Sequence, residues 1–151
     1  MQQSFAIGSD HRGFTIKQHL LQVLAGRGFA VEDMGTDSAD AVDYPDIACQ
    51  VADAVSRGTC ARGILICGSG IGMSVVANKF SGVRAALCYD ARAAEMSRRH
   101  NNANILVLGS ASGLEGATAI LEAWLTAPFE GGRHQQRLDK IAAVERRNFK
   151  H

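Results

Sequence analysis

Short apolar runs alternate along the chain with segments whose apolar residues recur at the spacing of a helix. The runs predict five strands, at 5–9, 29–31, 63–67, 83–88 and 105–108. Apolar residues are continuous within each run instead of alternating with polar ones, which is the pattern of strands buried on both faces. We therefore expect helices to cover both faces of one sheet.

Apolar stripes place a helix after each predicted strand. The first helix should end near Gly26 or Gly28, and its stripe consists of Ile16, Leu20, Val23 and Leu24. Pro45 stands near the first turn of the second helix, where proline is favoured, and the stripe that follows is Ile47, Val51, Ala54 and Val55. Further helices are predicted at 71–79, 91–100 and 133–147, and over a stripe formed by Leu114, Ala117, Leu121, Trp124 and Leu125.

This order of elements predicts an α/β fold, a three-layer αβα Rossmann-like sandwich with a five-stranded parallel sheet. The length of 151 residues corresponds to one domain, 1–151. No repeat or Pro/Ser-rich linker divides the sequence, so the charged C-terminal segment is predicted to be a final docking helix of that domain.

Charge and hydropathy exclude several classes of protein. Sixteen Lys and Arg residues against fifteen Asp and Glu residues give a net charge of +1, which argues against binding nucleic acid through bulk charge. No apolar run approaches the roughly 18 residues of a membrane span, and the N-terminus lacks the layout of a signal peptide. We expect a cytoplasmic protein with neither a membrane nor a nucleic-acid partner.

The four cysteines show no CxxC spacing, and the paired ligand spacings of a zinc site are absent. We expect no metal site and interpret Cys49, Cys60 and Cys88 as reduced, partly buried thiols. Cys67 stands apart because a glycine-rich loop follows it.

Polar residues follow the first and third predicted strands, where an open parallel sheet binds its ligands. Asp10, His11 and Arg12 follow the first strand, and the segment 67–72 (CGSGIG) follows the third. The fifth strand ends in the chemically plain Gly109 and Ser110. The site is therefore predicted at the ends of the first and third strands.

The glycine loop allows several interpretations. One interpretation is a tight strand-to-helix turn. Another is a dinucleotide site with Asp90 as the ribose ligand, although Met73 stands where the G-x-G-x-x-G motif of such sites has its third glycine. A cysteine-phosphatase loop is excluded, because Met73 also stands where its arginine belongs. The remaining interpretation places the Cys67 thiol beside backbone amides at a helix start, as a nucleophile or general base next to an oxyanion site. The alternative to a chemical role is that Cys67 is a small apolar residue that ends the strand.

Two further clusters are ambiguous from spacing alone. His100 lies near a predicted helix end, where it is either a functional imidazole or a capping or surface residue. Arg133 and Arg137 are four residues apart and share one helix face, which suits either a phosphate clamp or a solvated basic surface.

Taken together in order, these segments resemble one family. The matching segments are 9–14 (SDHRGF), 43–45 (DYP), 66–72 (ICGSGIG), 77–79 (ANK), 99–101 (RHN) and 130–137 (EGGRHQQR). The sequence resembles type B ribose-5-phosphate isomerases, within the family that also holds galactose-6-phosphate isomerase subunits. The resemblance extends from about residue 5 to 147.

The resemblance implies a cofactor-free aldose–ketose isomerase that acts on a phosphorylated pentose through a cis-enediolate. It implies that Cys67 is the base between C2 and C1, that His100 is the acid that opens the furanose ring, and that Ser69 moves protons between O1 and O2. The implied sugar and enediolate ligands are Asp10, His11, Tyr44, Gly68, Gly70, Ile71, Gly72 and Asn101. The implied phosphate ligands are Arg133 and Arg137.

The resemblance also implies a homodimer, or a dimer of dimers, in which His100, Asn101 and the two arginines enter the site from the partner subunit. One family arginine that contacts phosphate is missing, because Ala111 stands in its place. We hypothesise that Arg12 substitutes for it. The same gap leaves open a six-carbon substrate of the allose 6-phosphate or galactose 6-phosphate type, and a non-catalytic phosphosugar- or nucleotide-binding module is the alternative from another class.

Overall fold

Every predicted strand and helix is present in the computed structural model, which describes residues 3–149. The strands are β1 (Ser4–Ser9), β2 (Ala30–Asp33), β3 (Arg62–Cys67), β4 (Ala85–Leu87) and β5 (Ile105–Gly109). The helices are α1 (Phe14–Gly26), α2 (Tyr44–Ser56), α3 (Ile71–Ala77), α4 (Ala91–Asn101), α5 (Gly113–Thr126) and α6 (Arg133–Asn148). The predicted domain, 1–151, extends at both ends beyond the described residues.

The five strands form one parallel sheet in the order β2-β1-β3-β5-β4. From β1 the chain first adds β2 on one side and then crosses over to add β3 on the other, so the order reverses between β1 and β3. Ser9 pairs with Ile66 at this point, which brings the ends of the two strands side by side. Ligands of open α/β sheets bind at such a reversal.

Two apolar cores cover the two faces of the sheet, which confirms the predicted three-layer fold. Helices α1, α4 and α5 pack on one face, around Trp124, Leu106 and Ile7. Helices α2 and α3 pack on the other face, around Val51, Leu65 and Met73. The sheet is therefore shielded from water on both sides, which accounts for its continuous apolar strands.

Several details of the sequence-based prediction were wrong. Strand β4 is limited to three residues instead of 83–88, and α3 ends at Ala77 instead of residue 79. Leu114, assigned to the apolar stripe of α5, is 44% exposed because it lies in the first turn of the helix, before the residues that meet the sheet. Cys49 is exposed, since it lies on the side of α2 turned away from the core.

Gly70 begins α3 in a conformation that only glycine adopts without strain, with φ at +81°. A Cβ atom there would lie 2.5 Å from Leu87 Cδ1 and 3.0 Å from the carbonyl oxygen of Leu108. Gly82 provides a matched control, because its φ is +77° but open space surrounds it.

We expect Gly70→Ala to lower the free energy of unfolding by about 1–3 kcal/mol more than Gly82→Ala, because only the first adds overpacking to the strain of a positive φ. Urea unfolding followed by circular dichroism measures the difference. Equal losses of unfolding free energy in the two variants would show that overpacking around Gly70 adds nothing to the strain of its positive φ.

Candidate active site

An open cleft with a volume of about 930 Å³ lies where β1 and β3 end. It collects residues from the loops after these strands and from the start of α2. The sequence-predicted residues that line it are Asp10, His11, Arg12, Tyr44, Cys67, Gly68, Ser69, Ile71 and Gly72. The remaining predicted residue of this loop, Gly70, is not among the residues that line the cleft.

The loop after β1 is held by its own aspartate. Oδ1 of Asp10 accepts hydrogen bonds from the backbone N–H groups of Arg12, at 3.0 Å, and Gly13, at 3.1 Å. Asp10 is only 6% exposed, so these bonds compensate for the loss of water around its carboxylate. Among residues 3–149, no hydrogen bond engages the second carboxylate oxygen, so it can accept one from a ligand hydroxyl.

The ring of His11 is oriented by a backbone contact. The N–H of Val42 donates to Nδ1 of His11 at 3.3 Å. Because Nδ1 accepts this bond, the neutral ring carries its proton on Nε2. His11 therefore offers the cleft an N–H donor suited to a sugar oxygen.

Cys67 is the last residue of β3 and is 4% exposed. The backbone N–H of Gly70 donates to its sulfur at 3.1 Å. The glycine loop is fixed to neighbouring elements, because Ser110 donates from its N–H to the Gly68 carbonyl at 3.0 Å and the Tyr89 hydroxyl donates to the Ser69 carbonyl at 3.0 Å. The sulfur thus sits on a rigid loop at the start of α3, with an amide aimed at it.

Two other glycines allow side chains to approach this loop closely. A Cβ atom at Gly72 would overlap the ring of Tyr44, and one at Gly68 would lie 2.9 Å from Arg12 Cδ. Tyr44 and Arg12 therefore lie directly against the loop. Glycine is needed at the three positions for different reasons. Gly70 has a positive φ, whereas Gly68 and Gly72 leave room for neighbouring side chains, so a tight turn alone does not explain all three.

The dinucleotide interpretation does not fit the structure. Oδ1 of Asp90 accepts the N–H of Ala93 at 2.7 Å, so this carboxylate is the N-cap of α4. Met73 is fully buried in the core between α3 and the sheet. Neither residue lines the cleft.

The cleft carries more negative than positive charge. Asp10, Asp43 and Asp46 line it, and Arg12 is the one Lys or Arg among its described lining residues. A phosphate dianion in this cleft needs further positive charge from another surface.

The other predicted site residues lie outside this cleft. His100 and Asn101 end α4, while Arg133 and Arg137 are exposed on the first turns of α6. His100 stacks on His134 with ring centroids 4.2 Å apart, and Glu130 approaches both rings. The described chain therefore contains two separate groups of functional side chains.

Glu130 and His134 received no role from the sequence, although both lie inside the 130–137 segment that carries the resemblance. Burial lowers the pKa of His134, and the nearby His100 and Arg133 lower it further, against the opposing charge of Glu130. Only the packing of α6 against the end of α4 places these residues beside His100.

Burial disfavours the thiolate form of the other two buried cysteines, Cys60 and Cys88. Burial raises the pKa of Cys88 to about 11. Burial also raises the pKa of Cys60, with a further contribution from the charge of Glu32. Among the described cysteines, Cys67 alone lines the cleft.

A family model described as Ribose/Galactose Isomerase matches residues 5–141. The chain belongs to this family. Ribose-5-phosphate isomerase B of Escherichia coli (strain K12), one of its relatives, is 49% identical over 146 residues, which cover 96% of this chain and 98% of that protein. Membership of the ribose/galactose isomerase family confirms the predicted resemblance and the prediction of an isomerase.

Solved structures in the ribose/galactose isomerase family share the whole fold. Ribose-5-phosphate isomerase B of Clostridium thermocellum has a TM-score of 0.94 at 48% identity, over 97% of this chain and 99% of that one. The Mycoplasma genitalium enzyme, solved with bound ribulose-5-phosphate, has a TM-score of 0.92 at 43% identity, over 95% and 96% of the two chains. Among residues 3–149, no helix combines the length and apolar character needed to cross a membrane.

Proposed function

We propose that the chain interconverts ribose 5-phosphate and ribulose 5-phosphate through a cis-enediolate, with Cys67 as the general base. The observation that carries this proposal is the sulfur of Cys67, which lines the cleft beside Asp10 and His11 and accepts the N–H of Gly70 at 3.1 Å. An isomerase needs a base held against the reacting carbons, and a rigid strand end with an oriented amide provides one.

The reaction moves one proton between adjacent carbons. The Cys67 thiolate takes the proton from C2 of the open-chain aldose, and the electron pair moves to form a C1–C2 double bond with charge on O1. Return of the proton to C1 gives the ketose. Backbone amides of the segment 68–72 stabilise the charged oxygens. The oxygen of the Ser69 hydroxyl accepts the Ile71 N–H at 3.1 Å, so its own proton is free to donate, and the hydroxyl can transfer a proton between O2 and O1.

Two incomplete groups of side chains support a site shared between two subunits. The cleft has the Cys67 thiol but more carboxylates than cationic side chains, whereas the second group has imidazoles and two arginines but neither a thiol nor the glycine loop. In a homodimer, or a dimer of dimers, His100 opens the ring, Asn101 binds a sugar hydroxyl, and Arg133 and Arg137 bind the phosphate held in the partner's cleft.

Exposed aliphatic side chains support the same assembly. Ile71 and Val75 are each 55% exposed on α3 and line the cleft. Ile141 and Val144 are 51% and 48% exposed, and they line an open groove between α6 and the segment that leads into β4. We propose that α6, predicted at 133–147, docks on the partner subunit and buries these residues. The four cysteines are free, which fits the cytoplasm as the proposed location.

A coupled assay on the metal-free protein tests the substrate. We expect the highest kcat/KM with ribose 5-phosphate when it is compared with allose 6-phosphate and galactose 6-phosphate. A higher kcat/KM with a six-carbon sugar phosphate would identify that compound, instead of ribose 5-phosphate, as the preferred substrate. Thermal stabilisation by NAD or ATP without turnover of any sugar phosphate would support a binding module instead.

Arg12 is positioned to contribute to phosphate binding in place of the arginine missing at Ala111, which is exposed in the turn Ser110–Ser112. Its side chain lies over Gly68, and no ion pair engages it among residues 3–149. We expect Arg12→Ala to raise KM for the sugar phosphate about threefold to tenfold, since an exposed charge contributes less than a buried one.

Steady-state kinetics measures the effect of Arg12→Ala, with Arg57→Ala as the control. Arg57 is also exposed but pairs with Asp53 at the far end of α2. An unchanged KM in Arg12→Ala removes Arg12 from the phosphate site and leaves Arg133 and Arg137 as its ligands.

A further inference from the structure

Tyr89 is largely exposed to solvent, yet its hydroxyl is bonded to the glycine loop. The residue follows β4 and is 59% exposed. Its Oη donates a hydrogen bond to the backbone carbonyl of Ser69 at 3.0 Å. Among residues 3–149, no other hydrogen bond engages this carbonyl. An aromatic ring that stays in water gains little from packing, so the hydroxyl is the part of Tyr89 that the loop uses.

The Ser69 carbonyl and the Gly70 N–H belong to one peptide unit. The unit is trans, so these two groups point in opposite directions, and it is rigid because rotation about its C–N bond is hindered. Tyr89 holds the carbonyl on one side. The N–H is thereby directed to the other side, where the sulfur of Cys67 accepts it at 3.1 Å. One planar group therefore links the tyrosine hydroxyl to the thiol.

The preceding peptide unit of the loop is held by different groups. The Gly68 carbonyl accepts the N–H of Ser110 at 3.0 Å and the Oγ of the same serine at 3.2 Å. A Cβ atom at Gly109 would lie 3.0 Å from the Ser69 carbonyl oxygen, so the end of β5 packs directly against the loop. Ser110 thus fixes one unit with two donors, whereas the next unit has the Tyr89 hydroxyl as its one donor within residues 3–149.

We propose that Tyr89 is a positioning residue of the active site, whose hydroxyl orients the peptide unit that holds the sulfur of Cys67. The consequence for catalysis rests on the proposed function. An N–H donor favours a thiolate over a thiol, because a hydrogen bond to a charged acceptor is stronger. It also keeps the sulfur in one place against the reacting carbons. Loss of the tyrosine hydroxyl lets the peptide unit rotate, which weakens both effects.

Tyr89→Phe removes the hydroxyl and keeps the ring. We expect kcat for ribose 5-phosphate to fall about threefold to tenfold, the effect of one hydrogen bond, with KM within about twofold of the wild-type value. Hydrogen exchange of the Gly70 amide, followed by NMR with isotope-labelled glycine, should become about threefold to tenfold faster. This second measurement reports on the hydrogen bond to Cys67 and requires no turnover.

Ser56→Ala is the matched control, because the Ser56 hydroxyl also donates to a backbone carbonyl, that of Ser81, at 2.6 Å. Ser56 ends α2 and does not line the cleft, so its loss should leave kcat and Gly70 exchange unchanged. Ser110→Ala should lower kcat less than Tyr89→Phe does, because the backbone N–H of residue 110 still bonds the loop.

Unchanged Gly70 exchange in Tyr89→Phe would overturn the proposed link between the hydroxyl and the thiol. Faster exchange with an unchanged kcat would overturn the positioning role, because the orientation of the peptide unit would then not matter to the reaction. Faster Gly70 exchange in Tyr89→Phe, together with a wild-type protein that isomerises no sugar phosphate, would overturn the proposed function and leave the link to Cys67 standing.

Discussion

Replacement of Cys67 by alanine is expected to lower kcat for ribose 5-phosphate by at least about 10²-fold, the usual minimum for loss of a positioned base. Its sulfur lines the cleft and accepts the Gly70 N–H at 3.1 Å. KM should change little, because the proposed phosphate ligands, Arg133 and Arg137, lie elsewhere. Steady-state kinetics with a coupled assay measures both parameters.

Two further variants separate chemistry from structure. Cys67→Ser keeps the size of the side chain but replaces the thiol with a far weaker acid, so its kcat should fall as in the alanine variant. Cys49→Ala removes an exposed thiol outside the cleft and should leave kcat unchanged. Near-normal turnover by Cys67→Ala, with an unchanged melting curve, would eliminate the cysteine-base mechanism.

Mixing two inactive variants should restore activity if subunits share the site. Cys67→Ala lacks the base and His100→Asn lacks the acid, so each homodimer should turn over furanose substrate at least about 10²-fold more slowly than wild type. After random reassociation, half of the dimers are mixed and each has one intact site. Activity should then reach about a quarter of the wild-type value.

The control for this experiment is a mixture of Cys67→Ala with Cys67→Ser, which creates no intact site and should remain inactive. Native mass spectrometry confirms that mixed dimers have formed. Mixed dimers without recovered activity would place His100 and Cys67 in the same subunit's site, which contradicts the shared arrangement.

The elements that sequence patterns predicted well are those with local causes. Continuous apolar runs predicted β1, β3 and β5 because water is excluded from both faces of a parallel sheet. The position of the cleft followed too, since polar residues after β1 and β3 mark strand ends in an open sheet. Strand β4 was predicted too long because Val83 and Cys88 are buried beyond its ladder, and hydrophobicity alone does not distinguish a strand from buried coil.

The cleft and the pairing of His100 with His134 depend on contacts between distant parts of the chain. Nothing in the segment 67–72 indicates that Gly72 makes room for Tyr44 or that Gly68 lies under Arg12. Similarly, the parallel rings of His100 and His134 follow from the way α6 meets α4.

Residue identity and order were sufficient for the fold class, the family and the candidate base, because apolar periodicity, a glycine-rich loop and short motifs act over a few residues. The separation of that base from the imidazole and arginine groups, and the convergence of Glu130 on two histidines, emerged from helix packing. Packing depends on the shapes of surfaces formed by residues far apart in the chain, and no fixed spacing encodes it.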